Sequence, residues 1–358
     1  MKQLIINGIE HFPDLLNKVA CKRFLLVCDS SFSLISIKDN IIGSGYPYVI
    51  FNDFTSNPLH EDADKGIDAL KQNDCNVIVA VGGGSSLDVA KCIKLDSGLD
   101  LPLIAIPTTA GTGSESTKHI VVYKDGKKES LGNDNVIPNI VILEPFVLST
   151  LPESQKYSTM LDALCQGIES YWSVNATPET RLLYSKPSIE LIVSFYRKYL
   201  DQKYDSVVAE AMMYAANFSG KAINITQTTA AHAMSYKLTS KYNIPHGNAV
   251  ALCLIQVWIQ MNNKVNSGDS MYTELKQAFV EIVTAMNLNS VDDAINDLHS
   301  VVYGSKWVMI PKAKKADYEN DIAELTSSVN PIRLKNNPIQ FTPEEIEAMY
   351  RNIVTVEG

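Results

Sequence analysis

The sequence predicts an α/β amino-terminal domain followed by an all-α carboxy-terminal domain. Three observations carry this. Before residue 150, short apolar runs alternate with helical stretches. The central runs are almost continuously apolar, as strands covered on both faces must be. After about Leu151 the strand signal stops and long helical periods take over. Strands alternating with helices imply a parallel sheet with helices on both faces. The domains are expected at 1–150 and 151–358, and 358 residues, 46% of them hydrophobic, suffice for two cores.

The elements follow in order. Arg23-Phe24-Leu25-Leu26-Val27-Cys28 is apolar after its first residue and ends at Asp29-Ser30-Ser31. Tyr48-Val49-Ile50-Phe51 closes at Asn52-Asp53. Asn57-Pro58 opens an amphipathic helix through Ile67 and Leu70. Asn76 to Val81, Leu103 to Ile106 and Ile140 to Leu143 are further strands. Beyond them, helices are expected over Ser158 to Ser173, Ser188 to Leu200, Ser206 to Asn217 and Met271 to Met286. Thr177-Pro178-Glu179 starts a helix, with Thr as N-cap and Pro in the first position. Lys186-Pro187 is expected to end it. Asn330 to Pro338 reads as a loop before a last helix opened by Thr342-Pro343-Glu344-Glu345, close to a capping box.

The formal charge is −9 and no Lys/Arg run stands out, so nucleic acid is not an expected partner. Six scattered cysteines without a CxxC read as buried free thiols of a reducing cytoplasm. The opening Met1-Lys2-Gln3-Leu4-Ile5-Ile6-Asn7-Gly8 is too short an apolar run for a signal peptide. No run approaches the roughly 18 apolar residues of a membrane span. A cytoplasmic protein without a membrane partner is the expectation.

Gly82-Gly83-Gly84-Ser85-Ser86 lies between a buried strand and the helix start Leu87-Asp88-Val89-Ala90-Lys91. Glycines let backbone approach a ligand, and a helix N-terminus offers free N–H groups to a phosphate. A tight turn with Ser as N-cap explains the same residues. A second small, hydroxyl-rich loop, Pro107-Thr108-Thr109-Ala110-Gly111-Thr112-Gly113-Ser114-Glu115, also follows a strand. Two such loops at neighbouring strand ends suit a nucleotide cleft at the carboxyl edge of a parallel sheet. Asp29 ends another strand and is placed to accept from a ribose, although a turn-forming Asp is the plainer reading.

Asp162, His232 and His246 supply one carboxylate and two imidazoles, a set that suits a divalent transition metal and leaves positions open. Asp162 and Gln166 are i and i+4 and share a helix face. Lys221, Asn224, Thr228, His232 and Tyr236 would form one polar stripe if that segment were helical throughout. A polar stripe on an apolar helix needs partners. Spacing alone leaves a metal site and hydrogen-bonded histidines both open.

These stretches together resemble the iron-containing (group III) alcohol dehydrogenase family over nearly the whole chain. The strongest are Gly82 to Lys91, Pro107 to Glu115, Asp162 to Glu169 and His232 to Gly247. The resemblance implies a nucleotide-binding α/β domain joined to a helical domain, the dehydroquinate synthase-like fold. It implies that Asp162, His232 and His246 hold Fe2+ or Zn2+, with Gln166 at the fourth ligand position, where the family usually has His. It implies that Gly83, Gly84 and Ser85 hold a pyrophosphate and that Thr108 and Thr109 border the cofactor; Asp29, Asp88 and Ser114 complete that expected group. Tyr236 stands where the family often has a further His. With a pKa near about 10 it is a poorer base than imidazole at neutral pH. Together with Glu169 to Asn175 and Lys221 to Thr226, these two departures resemble the phosphonoacetaldehyde reductase branch.

The expected activity is NAD(P)H-linked reduction of an aldehyde, with NAD(H) favoured over NADP(H) through Asp29. His232 and Tyr236 are the expected catalytic residues. Asn224, Thr228 and Lys237 are expected at the substrate, with Lys241 as a further cation; Lys221, about three helical turns or about 16 Å from His232, is too far to touch a two-carbon aldehyde unless the helix bends or its long side chain reaches back. The partners are then a small aldehyde or alcohol and a second copy of the chain in a homodimer. The alternatives are a diol or glycerol dehydrogenase, a lyase of the dehydroquinate synthase type, or a nucleotide-binding regulator with a degenerate metal site.

Overall fold

A computed structural model describes residues 3–55, 58–124, 127–201, 203–267 and 270–357. The chain divides into two units, Met1–Lys156 with Asp201–Gly220, and Tyr157–Leu200 with Lys221–Gly358.

In the first unit the strands are β1 (Leu4–Asn7), β2 (Phe24–Cys28), β3 (Tyr48–Phe51), β4 (Val77–Gly82) and β5 (Leu103–Pro107). The hairpin β6 (His119–Lys124) and β7 (Lys127–Gly132) follows, then β8 (Ile140–Leu143). The main sheet runs β1-β8-β5-β4-β2-β3, with every neighbour parallel. Its register sets Leu25 beside Ile78 and Ile78 beside Leu103. Every residue of β2, β4, β5 and β8 is buried, whereas the edge strands β1 and β3 are partly exposed. This is why the inner strands read as unbroken apolar runs. β1 and the hairpin lie outside the expected strands, although Leu4-Ile5-Ile6 and Ile120-Val121-Val122-Tyr123 are short apolar runs.

Chain order reverses between β2 and β4, because β3 lies outside β2 while β5 lies outside β4. Ligand crevices of open parallel sheets form at the carboxyl ends of such strands. Asp29 and the glycine turn both sit there. The amphipathic helix after β3 covers His60–Gln72, and the Asp62 carboxylate accepts from Leu59 N at 2.9 Å to fix its start. Asn57, expected to open it, lies outside the described residues.

Residues 201–220 cluster with the first unit for local reasons. Asn217 donates to Glu115 and Ser116, Tyr214 bonds Asn7, and Phe146 packs edge-on against Tyr204. Gly220 meets Gly113 so closely that a Cβ on either would collide with the other's backbone. The sequence boundary near 150 did not anticipate this return.

The second unit is built from helices. They include Glu153–Trp172, Ala230–Tyr242, His246–Val265, Thr273–Ala285, Val291–Tyr303, Tyr318–Ser327 and Pro343–Ile353. Three expectations need correction. Pro187 does not end its helix: the chain stays helical over 178–200, with a π-turn at Arg181–Ser185 just before it. A π-turn absorbs the lost donor and the ring clash of a helical proline. The segment from Lys221 to Tyr236 is not one helix. Helix Ser206–Thr226 stops, Gln227 turns left-handed (φ 59°), and a new helix starts at Ala230. The expected loop 330–338 contains a helical turn, Pro331–Leu334, capped by Asn330. A two-residue parallel ladder, Lys312–Ala313 with Thr355–Val356, also interrupts the helical pattern.

All six cysteines are free and buried, as their apolar surroundings predicted. Among the described residues no helix is long and apolar enough to cross a membrane.

Candidate metal centre and nucleotide turn

Helix Glu153–Trp172 presents Asp162, Gln166 and Glu169 at i, i+4 and i+7, on one face. All three are buried. His232 lies in the first turn of Ala230–Tyr242, and His246 is the first residue of His246–Val265. The connection is short because Asn243 takes the left-handed conformation (φ 50°) that terminates a helix cleanly. Gly247 then decides where His246 goes. A Cβ at Gly247 would strike the Ser158 carbonyl oxygen and lie 3.0 Å from Asp162 N. Only glycine lets this helix close on the turn that carries Asp162.

The ligand atoms of Asp162, His232 and His246 consequently all lie within 4.8 Å of one another. His232 Nε2 is 3.2 Å from Asp162 Oδ1, and the two imidazole centres are 5.6 Å apart. Behind them stands Glu169, fully buried. Its Oε2 meets His232 Nδ1 in a short contact. Its Oε1 accepts from Thr229 N (3.0 Å), Thr229 Oγ1 (2.7 Å), Ala231 N (3.1 Å) and His232 N (3.3 Å). One carboxylate therefore caps the helix and orients its imidazole, leaving Nε2 to face Asp162.

The donor set fits a divalent ion. Two buried carboxylates share the pocket with two imidazoles, and no lysine or arginine pairs with either carboxylate among the described residues. Burial alone would raise both acids, but His232 and the bonds around it hold Asp162 and Glu169 below the usual carboxylate range. Burial would likewise lower His232, yet the two carboxylates push it up to about 9. The pocket thus demands positive charge, which a proton or a dication can supply. Asp162, His232 and His246 would hold that ion, at a scale consistent with ligand bonds of about 2.0–2.2 Å. Gln166, as placed, hydrogen-bonds Asp162.

Tyr236 joins this cluster by stacking on His246, with ring centres 5.8 Å apart and planes 7° from parallel. Burial raises its phenol, Arg333 opposes that, and Thr228 bonds it. The expected substrate cations Lys237 and Lys241 are held in ion pairs. Lys237 pairs with Glu324 at 2.5 Å, and Lys241 with Asp321 and Glu324 at 2.8 and 2.6 Å. Lys221 and Asn224 belong to the helix before the Gln227 break, so they share no face with His232. Thr228 lies in the break itself and accepts from Arg333 Nη1 at 3.3 Å.

In the first unit, Gly82 takes φ 151°, and a Cβ there would collide with the Ser86 side chain. The helix Gly84–Asp96 begins without a side-chain cap, and Gly83, Gly84 and Ser85 remain half-exposed at its start. Thr109 and Thr112 face Gly83 and Gly84, at 3.5 and 3.0 Å from where a Cβ would stand. The two small-residue loops are therefore neighbours, as expected. Thr108 is buried at the end of β5 and donates its N–H to Gly82 O at 3.0 Å. Asp29 Oδ1 accepts from Ser31 N at 2.8 Å, and Oδ2 lies 3.4 Å from Ser86 Oγ, which fixes the carboxylate beside the glycine turn.

The family described as iron-containing alcohol dehydrogenase matches residues 5–145, and its C-terminal family matches residues 156–354. The chain belongs to the iron-containing alcohol dehydrogenase family. It is accordingly an NAD-dependent, metal-containing alcohol dehydrogenase with the dehydroquinate synthase-like fold. It is 30% identical over 316 residues to the probable alcohol dehydrogenase EutG of Escherichia coli K12, covering 82% of this chain and 76% of that one. It is 32% identical over 225 residues to the phosphonoacetaldehyde reductase of Streptomyces viridochromogenes, covering 56% of each. The solved structure of sulfoacetaldehyde reductase from Bifidobacterium kashiwanohense in complex with NAD+ superposes with a TM-score of 0.83 at 27% identity, covering 98% of this chain and 96% of that one.

Two features of this alcohol dehydrogenase escaped the sequence reading. Glu169 falls within a stretch that carries the family resemblance, and its i+7 spacing from Asp162 is the signal that puts it on the same helix face. Arg333 lay in a presumed loop and gave no signal. Two expected cofactor residues, Asp88 and Ser114, also hydrogen-bond within the protein. Asp88 Oδ1 accepts from Ser114 Oγ at 2.5 Å and Oδ2 from Val121 N at 3.1 Å. The fully buried Lys91 donates to Ser114 Oγ, Thr117 Oγ1 and His119 O at 2.8, 3.1 and 3.0 Å. Asp88 and Ser114 thus brace the glycine-turn helix against the second loop, spending these polar atoms on the protein itself.

Proposed function

We propose that this alcohol dehydrogenase works as an NADH-linked reductase of a small aldehyde, and that its substrate is phosphonoacetaldehyde, yielding 2-hydroxyethylphosphonate. The observation that carries the reductase reading is the convergence of Asp162, His232 and His246 within 4.8 Å, braced by Glu169. The substrate reading draws on the Streptomyces relative and on the Gln166 and Tyr236 departures.

When bound, a divalent ion supplies Lewis acidity at the carbonyl oxygen and the dinucleotide supplies hydride. The chain's own residues do the rest. Asp162, His232 and His246 hold the ion, and Gln166 steadies Asp162. Gly83, Gly84 and Ser85 bind the pyrophosphate with backbone N–H groups at the helix start. Thr108 and Thr109 border the dinucleotide, and Asp88 and Ser114 keep that wall in place. Asp29 accepts from the adenosine ribose and repels a 2′-phosphate, which favours NAD(H). Tyr236 retains its proton at neutral pH, because burial raises it, and is the nearby group that returns a proton to the alkoxide. The enzyme is read as cytoplasmic and as a homodimer; sedimentation of the purified protein checks the oligomeric state.

The test is NADH oxidation with phosphonoacetaldehyde, propanal and lactaldehyde. A higher specificity constant for phosphonoacetaldehyde supports the assignment. Equal or higher constants for the uncharged aldehydes remove the phosphonate substrate and leave the reductase.

A further inference from the structure

Lys237 and Lys241 pair with Asp321 and Glu324, whereas Arg333 packs on the aromatic ring that stacks on His246. Arg333 sits in the helical turn Pro331–Leu334 and is half-buried. Its guanidinium carbon lies 5.0 Å from the centre of the Tyr236 ring. That ring stacks on His246, so Arg333 is one aromatic ring away from a metal ligand. Its other recorded partner is the Thr228 hydroxyl, and it forms no ion pair among the described residues.

Arg333 is also held in place. Asn330 caps its helical turn, and Asn336 ties the following residues to Thr228 O at 3.2 Å and to the Gln227 side chain at 3.0 Å. A half-buried cation without a carboxylate partner is costly to keep. A ring face offsets part of that cost, and an anionic ligand would offset more.

We propose that Arg333, with the Thr228 hydroxyl, binds the anionic head of a two-carbon aldehyde, a tetrahedral oxyanion of the phosphonate or sulfonate type. This rests on the reductase reading above and specifies its substrate class. The guanidinium fork matches two oxygens of such a head at once, which an ammonium cannot do. The Tyr236 ring connects the two features, its centre lying 5.0 Å from the Arg333 guanidinium carbon and 5.8 Å from the centre of the His246 imidazole. The chain's formal charge of −9 works against an anion's approach, so a dedicated local cation is required.

The experiment compares the metal-loaded wild type with Arg333→Gln and Arg333→Lys. Specificity constants are measured for phosphonoacetaldehyde, sulfoacetaldehyde and propanal. Binding of 2-hydroxyethylphosphonate and of inorganic sulfate is measured separately by calorimetry. Arg333→Gln should lower the ratio of charged to uncharged specificity constants by about 100-fold or more, and Arg333→Lys by about tenfold. Anion binding by calorimetry should be lost in Arg333→Gln. The wild type's preference between the two charged aldehydes identifies the head group. An unchanged ratio in a folded Arg333→Gln, or a parallel loss for propanal, would overturn the proposal. If the wild type reduces no aldehyde, the reductase reading falls, and calorimetry still decides on Arg333: anion binding lost with the arginine supports the site, and no binding by the wild type refutes it.

Discussion

Glu169 holds His232 at two points: one carboxylate oxygen meets the imidazole Nδ1, and the other caps the first turn of the helix that carries it. Position and tautomer of this imidazole are set by one buried side chain. Glu169→Gln keeps the shape and removes the charge. It should weaken divalent-metal affinity by about 10–100-fold, measured by chelator competition. Glu169→Ala also uncaps the helix and should cost about 3–5 kcal/mol in denaturant unfolding. Unaltered metal affinity in Glu169→Gln would remove Glu169 from the account of the site.

Gly247 is the packing residue of the same centre. Gly247→Ala must push His246–Val265 away from the Ser158 carbonyl. The expected cost is about 1–3 kcal/mol, with reduced metal content in the same preparation. A variant that melts at the wild-type temperature and keeps its metal would show that the helices close without glycine.

The inner strands and the glycine turn were legible because burial on both faces writes an unbroken apolar run. The ligands were legible as residue types, and the family resemblance joined them. Legibility failed where a local break redirects the chain. Gln227 splits what spacing alone would lay out as one polar stripe. Pro187 is tolerated by a π-turn that no propensity announces. Arg333 belongs to a one-turn helix inside a polar segment, and the acidic partners of Lys237 and Lys241 come from a helix, Tyr318–Ser327, that carries no strong signal in the sequence.

Cofactor choice should respond to Asp29. Asp29→Gly removes the carboxylate beside the glycine turn and should shift the NADH-to-NADPH ratio of specificity constants toward NADPH by about tenfold or more. A wild type that prefers NADPH would contradict the role given to this residue.

The buried thiols give a pH dependence. Burial pushes Cys28 up to about 12 and Cys21 up to about 11. The unfolded chain ionises its thiols near about 8.5, so the folded state binds more protons above that pH. The stability these thiols contribute is full below about pH 8.5 and is lost as pH rises toward the folded values. Urea unfolding should show stability falling from pH 8 to pH 10, less steeply in Cys28→Ala. An equal slope in the two proteins would exclude Cys28 as a source.

Reduction is proposed to depend on one metal centre formed by Asp162, His232 and His246. The most direct test is the metal content of purified His246→Ala, read beside its NADH-dependent aldehyde reduction and its circular dichroism. His246→Ala should be a folded protein with neither retained metal nor activity. A folded His246→Ala that keeps a full equivalent of metal and wild-type turnover would contradict it.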